Sequence, residues 1–193
     1  MMNVSIVIST FNRSANLEEC LQCLENQKNT EHFQWEAMVV DNNSTDNTKE
    51  IVDELKNKFS IDIQYLFEPN QGLSYARNRG IEGSVADFVI FIDDDIRATP
   101  EWLAAIYDRF VAENCDAVGG IIHVESPESL PKWISEDMYG FLGHRDFGDQ
   151  AFQMNGVDQF PFGGNMAARR SIASKLNGFD TRMGRKGEGK KRE

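Results

Sequence analysis

The sequence predicts an α/β fold, with a mostly parallel central sheet flanked by helices in a three-layer α/β/α arrangement. Three observations carry that expectation. Runs apolar at every position, such as Val89-Ile90-Phe91-Ile92, are too short for helices and read as strands buried on both faces. They alternate with segments of helical periodicity in the order β-α-β-α-β-α-β, which right-handed crossovers turn into parallel pairing. Polar clusters follow the first, second and fourth strands (Thr10 to Arg13, Asp41 to Asp46, Asp93 to Asp95). Those positions are carboxyl ends of strands, where open α/β sheets bind their ligands.

Val4 to Ser9 forms the first strand, and Leu17, Cys20, Leu21 and Leu24 mark an amphipathic helix capped at Ser14. Trp35 to Val40 is the second strand and ends at Asp41; Asp46 caps a helix that carries Ile51, Val52, Leu55 and Phe59. Ile61 to Phe67 alternates and then turns apolar, giving a third strand, and a short helix runs from Leu73 to about Ile81. The fourth strand runs into Asp93-Asp94-Asp95. Thr99-Pro100-Glu101 then predicts a helix start, with Leu103, Ile106, Tyr107, Phe110 and Val111 on its apolar face. Asp116 to Val124 reads as a further strand. From Glu125 to Gln159 aromatic residues are scattered among polar ones, which predicts a loop-rich lobe over the sheet edge, or a helix near Pro131 to Met138. Phe160 to Asn165 reads as a turn, and Arg169 to Leu176 as a helix ending before Asn177-Gly178.

The composition excludes several classes. With 193 residues, 40% hydrophobic and 26% charged, the chain suits one globular domain. A net charge of -11 argues against nucleic acid as a partner. Three cysteines do not make a disulfide framework, and the Cys20-Cys23 pair falls in mid-helix, where packing rather than redox chemistry is expected. No apolar run reaches the length of a membrane span and no leader-like segment opens the chain, so a reducing, cytoplasmic setting is expected. Three adjacent carboxylates at Asp93 to Asp95 repel one another unless a cation or water screens them; taken alone they fit a solvated acidic turn as well as a site for Mg²⁺ or Mn²⁺, which oxygen donors of this kind suit.

Five short motifs stand in a familiar order. They are Ile8-Ser9-Thr10-Phe11-Asn12-Arg13, Val39-Val40-Asp41-Asn42-Asn43-Ser44-Thr45-Asp46, Gly72-Leu73-Ser74-Tyr75-Ala76-Arg77-Asn78, Phe91-Ile92-Asp93-Asp94-Asp95 and Gly163-Gly164-Asn165-Met166. Together they make the chain resemble, over essentially its whole length, the family 2 glycosyltransferases, inverting enzymes of the GT-A fold. The resemblance implies transfer of a sugar from a nucleoside diphosphate sugar, with UDP favoured, to a sugar or lipid-linked acceptor in polysaccharide, lipopolysaccharide or glycolipid synthesis. It further implies that Thr10, Phe11, Asn12, Arg13 and Asn43 line the nucleotide pocket and that Asp41 accepts a hydrogen bond from the base. Arg77 and Asn78 would stand near the ribose or diphosphate, and Asp94 near the sugar. Asp93 would hold the ribose and, with Asp95, the metal. Gly164 and Asn165 would floor the donor sugar and acceptor. Peripheral contact with the inner face of a membrane is compatible with such a role.

The chain departs from that pattern at its end. The family's catalytic base lies in an acidic segment past a stretch like Gly178-Phe179-Asp180. The base is therefore expected beyond Glu193, in a chain cut short at its C-terminus, with Asp180, Glu188 and Glu193 as alternatives inside it. The division expected is residues 1–98 for the nucleotide sugar and 99–193 for a partial acceptor half. The basic residues Arg182, Arg185, Lys186, Lys190, Lys191 and Arg192 form either a flexible tail or a lid on the diphosphate. A nucleotidyltransferase is the first rival, although no glycine-rich loop follows the first strand. A donor-binding domain without turnover is the second. The absence of GxGxxG sets aside a dinucleotide-binding oxidoreductase.

Overall fold

The computed structural model describes residues 3–125, 130–131, 133–148 and 150–183. Three strands whose residues are apolar on both faces make its centre: β1 (Asn3–Thr10), β2 (Gln34–Asp41) and β4 (Phe88–Asp93). With β3 (Ile63–Phe67), β5 (Ala117–Gly119) and β6 (Met166–Arg169) they form a six-stranded sheet in the order β3-β2-β1-β4-β6-β5. The first four strands are parallel, and β6 runs antiparallel to both β4 and β5.

Helices cover both faces. Leu17, Cys20, Leu21 and Leu24 of α1 (Ser14–Glu25), Val52 and Leu55 of α2 (Thr48–Lys58), and Leu103, Ile106 and Phe110 of α4 (Trp102–Glu113) pack with Ile6, Ile8 and Phe88 in one core. On the opposite face Ala76 and Ile81 of α3 (Leu73–Gly83) pack on Val7, Val40, Val89 and Phe91, with Ala173 of α5 (Arg170–Lys175) beside them. Alternation along β1 therefore sends Ile6 and Ile8 to one core and Val7 to the other. Gly80 lets α3 sit close on the sheet, because a Cβ there would lie 2.3 Å from Val7 Cγ1.

Parallel register places the polar clusters side by side. Thr10 is opposite Asp41, and Ser9 is opposite Asp93. The carboxyl ends of β1, β2 and β4 thus finish level with one another.

Four expectations need correction. The strand expected over Asp116 to Val124 stops at Gly119, because Gly120 lies against the Asn165 side chain, and only one isolated bridge, Ile122 to Arg145, continues it. β6 was hidden in what reads as a glycine turn running into a helix; its four residues centre on Ala167-Ala168, weak strand formers held by pairing to both neighbours. The helix expected from Thr99-Pro100 starts at Trp102, with Thr99 contributing its carbonyl rather than its hydroxyl. At the first helix, Arg13 holds the cap position and Ser14 is already helical.

The loop-rich lobe is present, with a 3-10 helix at Glu136–Leu142 a few residues beyond the helix weighed for Pro131 to Met138. It meets the sheet edge at Gly119, where a Cβ would lie 3.1 Å from Met154 Cε and Pro161. Cys20 is buried, burial pushes its thiol well up, and all three cysteines are free, as packing rather than redox chemistry requires. Among the described residues no helix is long and apolar enough to cross a membrane.

Candidate functional site

A cleft of about 290 Å³ opens at the carboxyl ends of the central strands, lined by Ser9, Thr10, Phe11, Arg13, Asn42, Gln71, Leu73, Ala76 and Asp93 to Asp95. Its floor is the end of β4, where three carboxylates take three environments. Asp94 is 3% exposed and turns inward: Thr10 Oγ1 donates to its Oδ2 at 2.7 Å and Arg13 Nη1 to its Oδ1 at 3.2 Å. Burial raises the Asp94 carboxyl above its ordinary value, against the opposing pull of Thr10 and Arg13. The Asp95 side chain is 50% exposed, and Arg13 Nη1 donates to its Oδ2 at 2.8 Å. The Asp93 side chain is 37% exposed and accepts from Arg77 Nη2 at 3.1 Å.

Arg77 is the most confined cation of the site, its side chain 11% exposed. Burial pulls its guanidinium below the ordinary value, against the pull of Asp93. The same Nη2 donates to the Gly163 carbonyl at 2.8 Å, and the Phe179 ring lies 5.3 Å away. Gly163 has to be glycine for this approach, since a Cβ would come within 2.6 Å of the guanidinium. Phe179 is itself fixed by Asn78, whose Nδ2 donates to its carbonyl at 2.9 Å and whose Oδ1 accepts from its N–H at 2.7 Å. Asn78, Phe179, Arg77 and Asp93 thus form one mechanical series.

The second cluster is tied to the first through Asn12. Its φ of 53° turns the loop after β1, and its Oδ1 accepts from Thr45 N at 2.7 Å and Asp46 N at 3.3 Å. Asp41 is buried, with Ser44 N donating to Oδ1 at 2.8 Å and Tyr65 OH to Oδ2 at 2.7 Å. Burial, followed by the bond to Asp41, pushes the Tyr65 phenol well up. Asp46, expected to cap α2, stands one residue before the cap position, which Asn47 holds; its Oδ1 accepts from Thr48 N at 3.1 Å, and its Oδ2 from Ser14 N at 3.2 Å.

The sequence-predicted residues therefore fall into two groups. Thr10, Phe11, Arg13, Asp93, Asp94 and Asp95 line the cleft. Asn12, Asp41, Asn43, Arg77, Asn78, Gly164 and Asn165 are not among the lining residues. A Cβ on Gly164 would lie 3.5 Å from Asp93 Oδ2. Asn165 accepts from Trp102 Nε1 at 2.9 Å and donates to the Ile121 carbonyl at 3.0 Å, which makes it a brace between α4 and the chain after β5. Sequence reasoning gives Asn42 no role beyond membership of the polar cluster Asp41 to Asp46. Its Nδ2 donates to the Asn70 carbonyl at 2.7 Å and its Oδ1 accepts from Gly72 N at 2.7 Å, so it shapes the cleft wall. Of the base candidates, Asp180 is bound by Arg182, while Glu188 and Glu193 lie outside the described residues, as do Arg185, Lys186, Lys190, Lys191 and Arg192 of the basic tail.

The donor set fits a hard divalent cation: Asp95 and Asp93 present carboxylate oxygen at the solvent side of the cleft, with Asp94 withdrawn behind them. The cleft also holds an unsatisfied polar atom, Ser9 Oγ, which is buried and has no partner among the described residues.

Comparison with known proteins agrees with this geometry. The family model described as glycosyl transferase family 2 matches residues 5–176. The glucosyl-dolichyl phosphate glucuronosyltransferase of Haloferax volcanii is 28% identical over 97% of this chain and 59% of its own length. Glycosyltransferase AglE of the same organism is 33% identical over 64% of this chain and 40% of its own. The chain thus spans about half the length of these curated relatives. Two solved structures share the fold. TarS 1-349 of S. aureus in complex with UDP superposes with a TM-score of 0.71 at 19% identity, covering 91% of this chain and 49% of that one. The mannosyltransferase PcManGT of Pyrobaculum calidifontis, solved with GDP-Man and Mn²⁺, gives 0.67 at 21% identity, covering 92% and 47%.

Proposed function

The chain belongs to glycosyl transferase family 2, and from that premise we propose that it moves a sugar, with inversion, from a nucleoside diphosphate sugar to an acceptor hydroxyl. One observation carries the reading. Three carboxylates end the central strand β4 in the lining of one cleft, where Arg13 pairs with Asp94 and Asp95, and Arg77, just outside that lining, pairs with Asp93. Acid and guanidinium together are what a diphosphate with a divalent counter-ion needs.

Departure of the nucleoside diphosphate builds negative charge on its terminal phosphate. A Mg²⁺ or Mn²⁺ ion held by Asp95 and Asp93 would supply Lewis-acid neutralisation of that charge. Arg13 is half exposed and can turn from Asp95 to a phosphate oxygen, whereas Arg77 is fixed by Asp93, Gly163 and Phe179 and gives a preorganised positive field. Asp93 and Asn43 would hold the ribose side, and Gly164 and Asn165 would bound the sugar. A buried acceptor such as Asp41, oriented by Ser44 and Tyr65, suits an N–H donor of uracil, and UDP is therefore the favoured nucleotide. That TarS is solved with UDP, and PcManGT with Mn²⁺, supports both choices.

The acceptor proton needs a base. Asp180 serves poorly, because its hydrogen bonds and ion pair with Arg182 hold its carboxyl below the ordinary value. We therefore place the base outside the described residues. The same observation favours a second reading, that these residues bind the donor without turnover. Residues 1–98 would serve the donor and 99–193 the acceptor. A lipid-linked acceptor fits the name of the Haloferax relative, which acts on a glucosyl-dolichyl phosphate, and would bring the chain to the inner face of a membrane.

A thermal-shift panel of UDP, GDP, TDP, CDP and ATP, each with and without Mn²⁺, tests the reading. Stabilisation by UDP that requires Mn²⁺ is expected. A response to ATP alone would favour the nucleotidyltransferase instead.

A further inference from the structure

Beside the acceptor side of the cleft, three side chains with no part in the chemistry above converge. His123, His144 and Asp146 each bring one potential ligand atom within 4.8 Å of the other two. The fold explains why. After β5 the chain pairs with an incoming segment through the antiparallel bridge of Ile122 and Arg145, with both N–H···O contacts at 2.8 Å. One step along that pair His123 and His144 face each other, their rings 5.5 Å apart. Asp146, two residues past His144 and so on the same face, brings Oδ2 to 3.9 Å from His123 Nε2.

A second observation points to a ligand. His144 is half-buried, and its Nδ1 is buried with no hydrogen-bond partner among the described residues, a polar demand that the chain alone leaves unmet. At 3.9 Å, His123 and Asp146 are too far apart for a hydrogen bond and about right for two ligands about to close on one ion.

We propose that His123, His144 and Asp146 form a second metal site, selective for a borderline transition ion of the Zn²⁺ class. Two imidazoles and one carboxylate suit such an ion, while the all-oxygen set at Asp93 and Asp95 suits Mg²⁺ or Mn²⁺. Water completes a four-coordinate shell. The ion would clip together the two ends of the segment between His123 and His144, which carries the 3-10 helix Glu136–Leu142. Clipping a loop of that length removes chain entropy from the open state. The clip also reaches the cleft: Ile122 Cδ1 and Asp93 Oδ2 both lie within 3.6 Å of where a Cβ on Gly164 would stand. Holding His123 therefore holds the segment whose Ile122 approaches Gly164. This site does not depend on the nucleotide-sugar reading.

Titration of the chain with Co²⁺, under reducing conditions and followed by competition with Zn²⁺, tests the proposal. One equivalent is expected, with visible d–d bands and no thiolate charge-transfer band, and Zn²⁺ should raise the melting temperature. His123→Ala and Asp146→Asn, both at exposed positions, should each weaken binding by more than about 100-fold, the upper range for loss of a supporting residue. Both should melt like the parent in EDTA. Asp95→Asn should leave the Co²⁺ spectrum and affinity unchanged. Absence of binding, a thiolate band from Cys23 or Cys115, or binding that survives His123→Ala would each overturn the assignment.

Discussion

The Arg13 guanidinium donates to Asp95 Oδ2 at 2.8 Å, across the mouth of the cleft. The carboxylate proposed to take the metal is thus already neutralised by a side chain, and an arriving cation has to displace it. Arg13→Ala should therefore tighten binding of free Mn²⁺ by about tenfold, the order expected from removing one nearby positive charge at a half-exposed site. The same variant should weaken the Mn²⁺–UDP complex, since the diphosphate loses a partner. Paramagnetic resonance of free Mn²⁺ reads the first effect; weaker metal binding in the variant would show that Arg13 does not compete for Asp95.

Gly163 and Gly80 separate site from scaffold. A Cβ at Gly163 would meet the Arg77 guanidinium at 2.6 Å, so Gly163→Ala should push Arg77 off Asp93 and cut UDP affinity severalfold with little change in melting. Gly80→Ala would put its Cβ 2.3 Å from Val7 and should cost about 1–3 kcal/mol by overpacking, with UDP affinity preserved at a temperature where the variant is folded. Equal effects of the two on binding would contradict the role given to Arg77.

Asn78 spends both ends of its amide on Phe179. Asn78→Ala leaves a backbone N–H and a carbonyl without partners and should cost on the order of 1–3 kcal/mol. Because Phe179 supports Arg77, a secondary loss of UDP affinity should follow, and it should vanish when Arg77 is already replaced by Ala. An additive loss in that double-mutant cycle would mean that Asn78 meets the donor itself.

Asp46 gives a pH-dependent term to stability. Slight burial pushes its carboxyl up, but hydrogen bonds from Thr48 and Ser14 outweigh this and hold it below the ordinary value. A depressed carboxyl stabilises the fold above its unfolded value, and that stability is lost as pH falls through the folded value. Asp46→Ala should thus cost about 1 kcal/mol at neutral pH, the order found for a side chain that satisfies a first-turn N–H of a helix. The gap to the parent should close below about pH 4, the unfolded range of Asp. A gap independent of pH in melting curves would assign the effect to packing.

The parts legible in the sequence were those set by burial and local chemistry. Val89 to Ile92 is apolar throughout because β4 is covered on both sides, and Asp93 to Asp95 had to emerge where it ends. Parallel register then aligned Thr10, Asp41 and Asp93 without further information. Three features were not legible. β6 exists through its pairing to β4 and β5, which no four-residue window reports. Asn42 and Asn78 act through amides whose partners, Asn70, Gly72 and Phe179, are decided by tertiary contact. The three adjacent aspartates look alike in sequence, yet Asp94 turns inward to Thr10 and Arg13 while Asp95 stays half exposed.

The central claim is a metal-dependent donor site at Asp95. Calorimetric titration of UDP, with and without Mn²⁺, on the parent and on Asp95→Asn tests it most directly. The account predicts Mn²⁺-dependent binding in the parent and its loss in Asp95→Asn, with the two melting alike. Binding of UDP to Asp95→Asn that Mn²⁺ still strengthens as in the parent would contradict it.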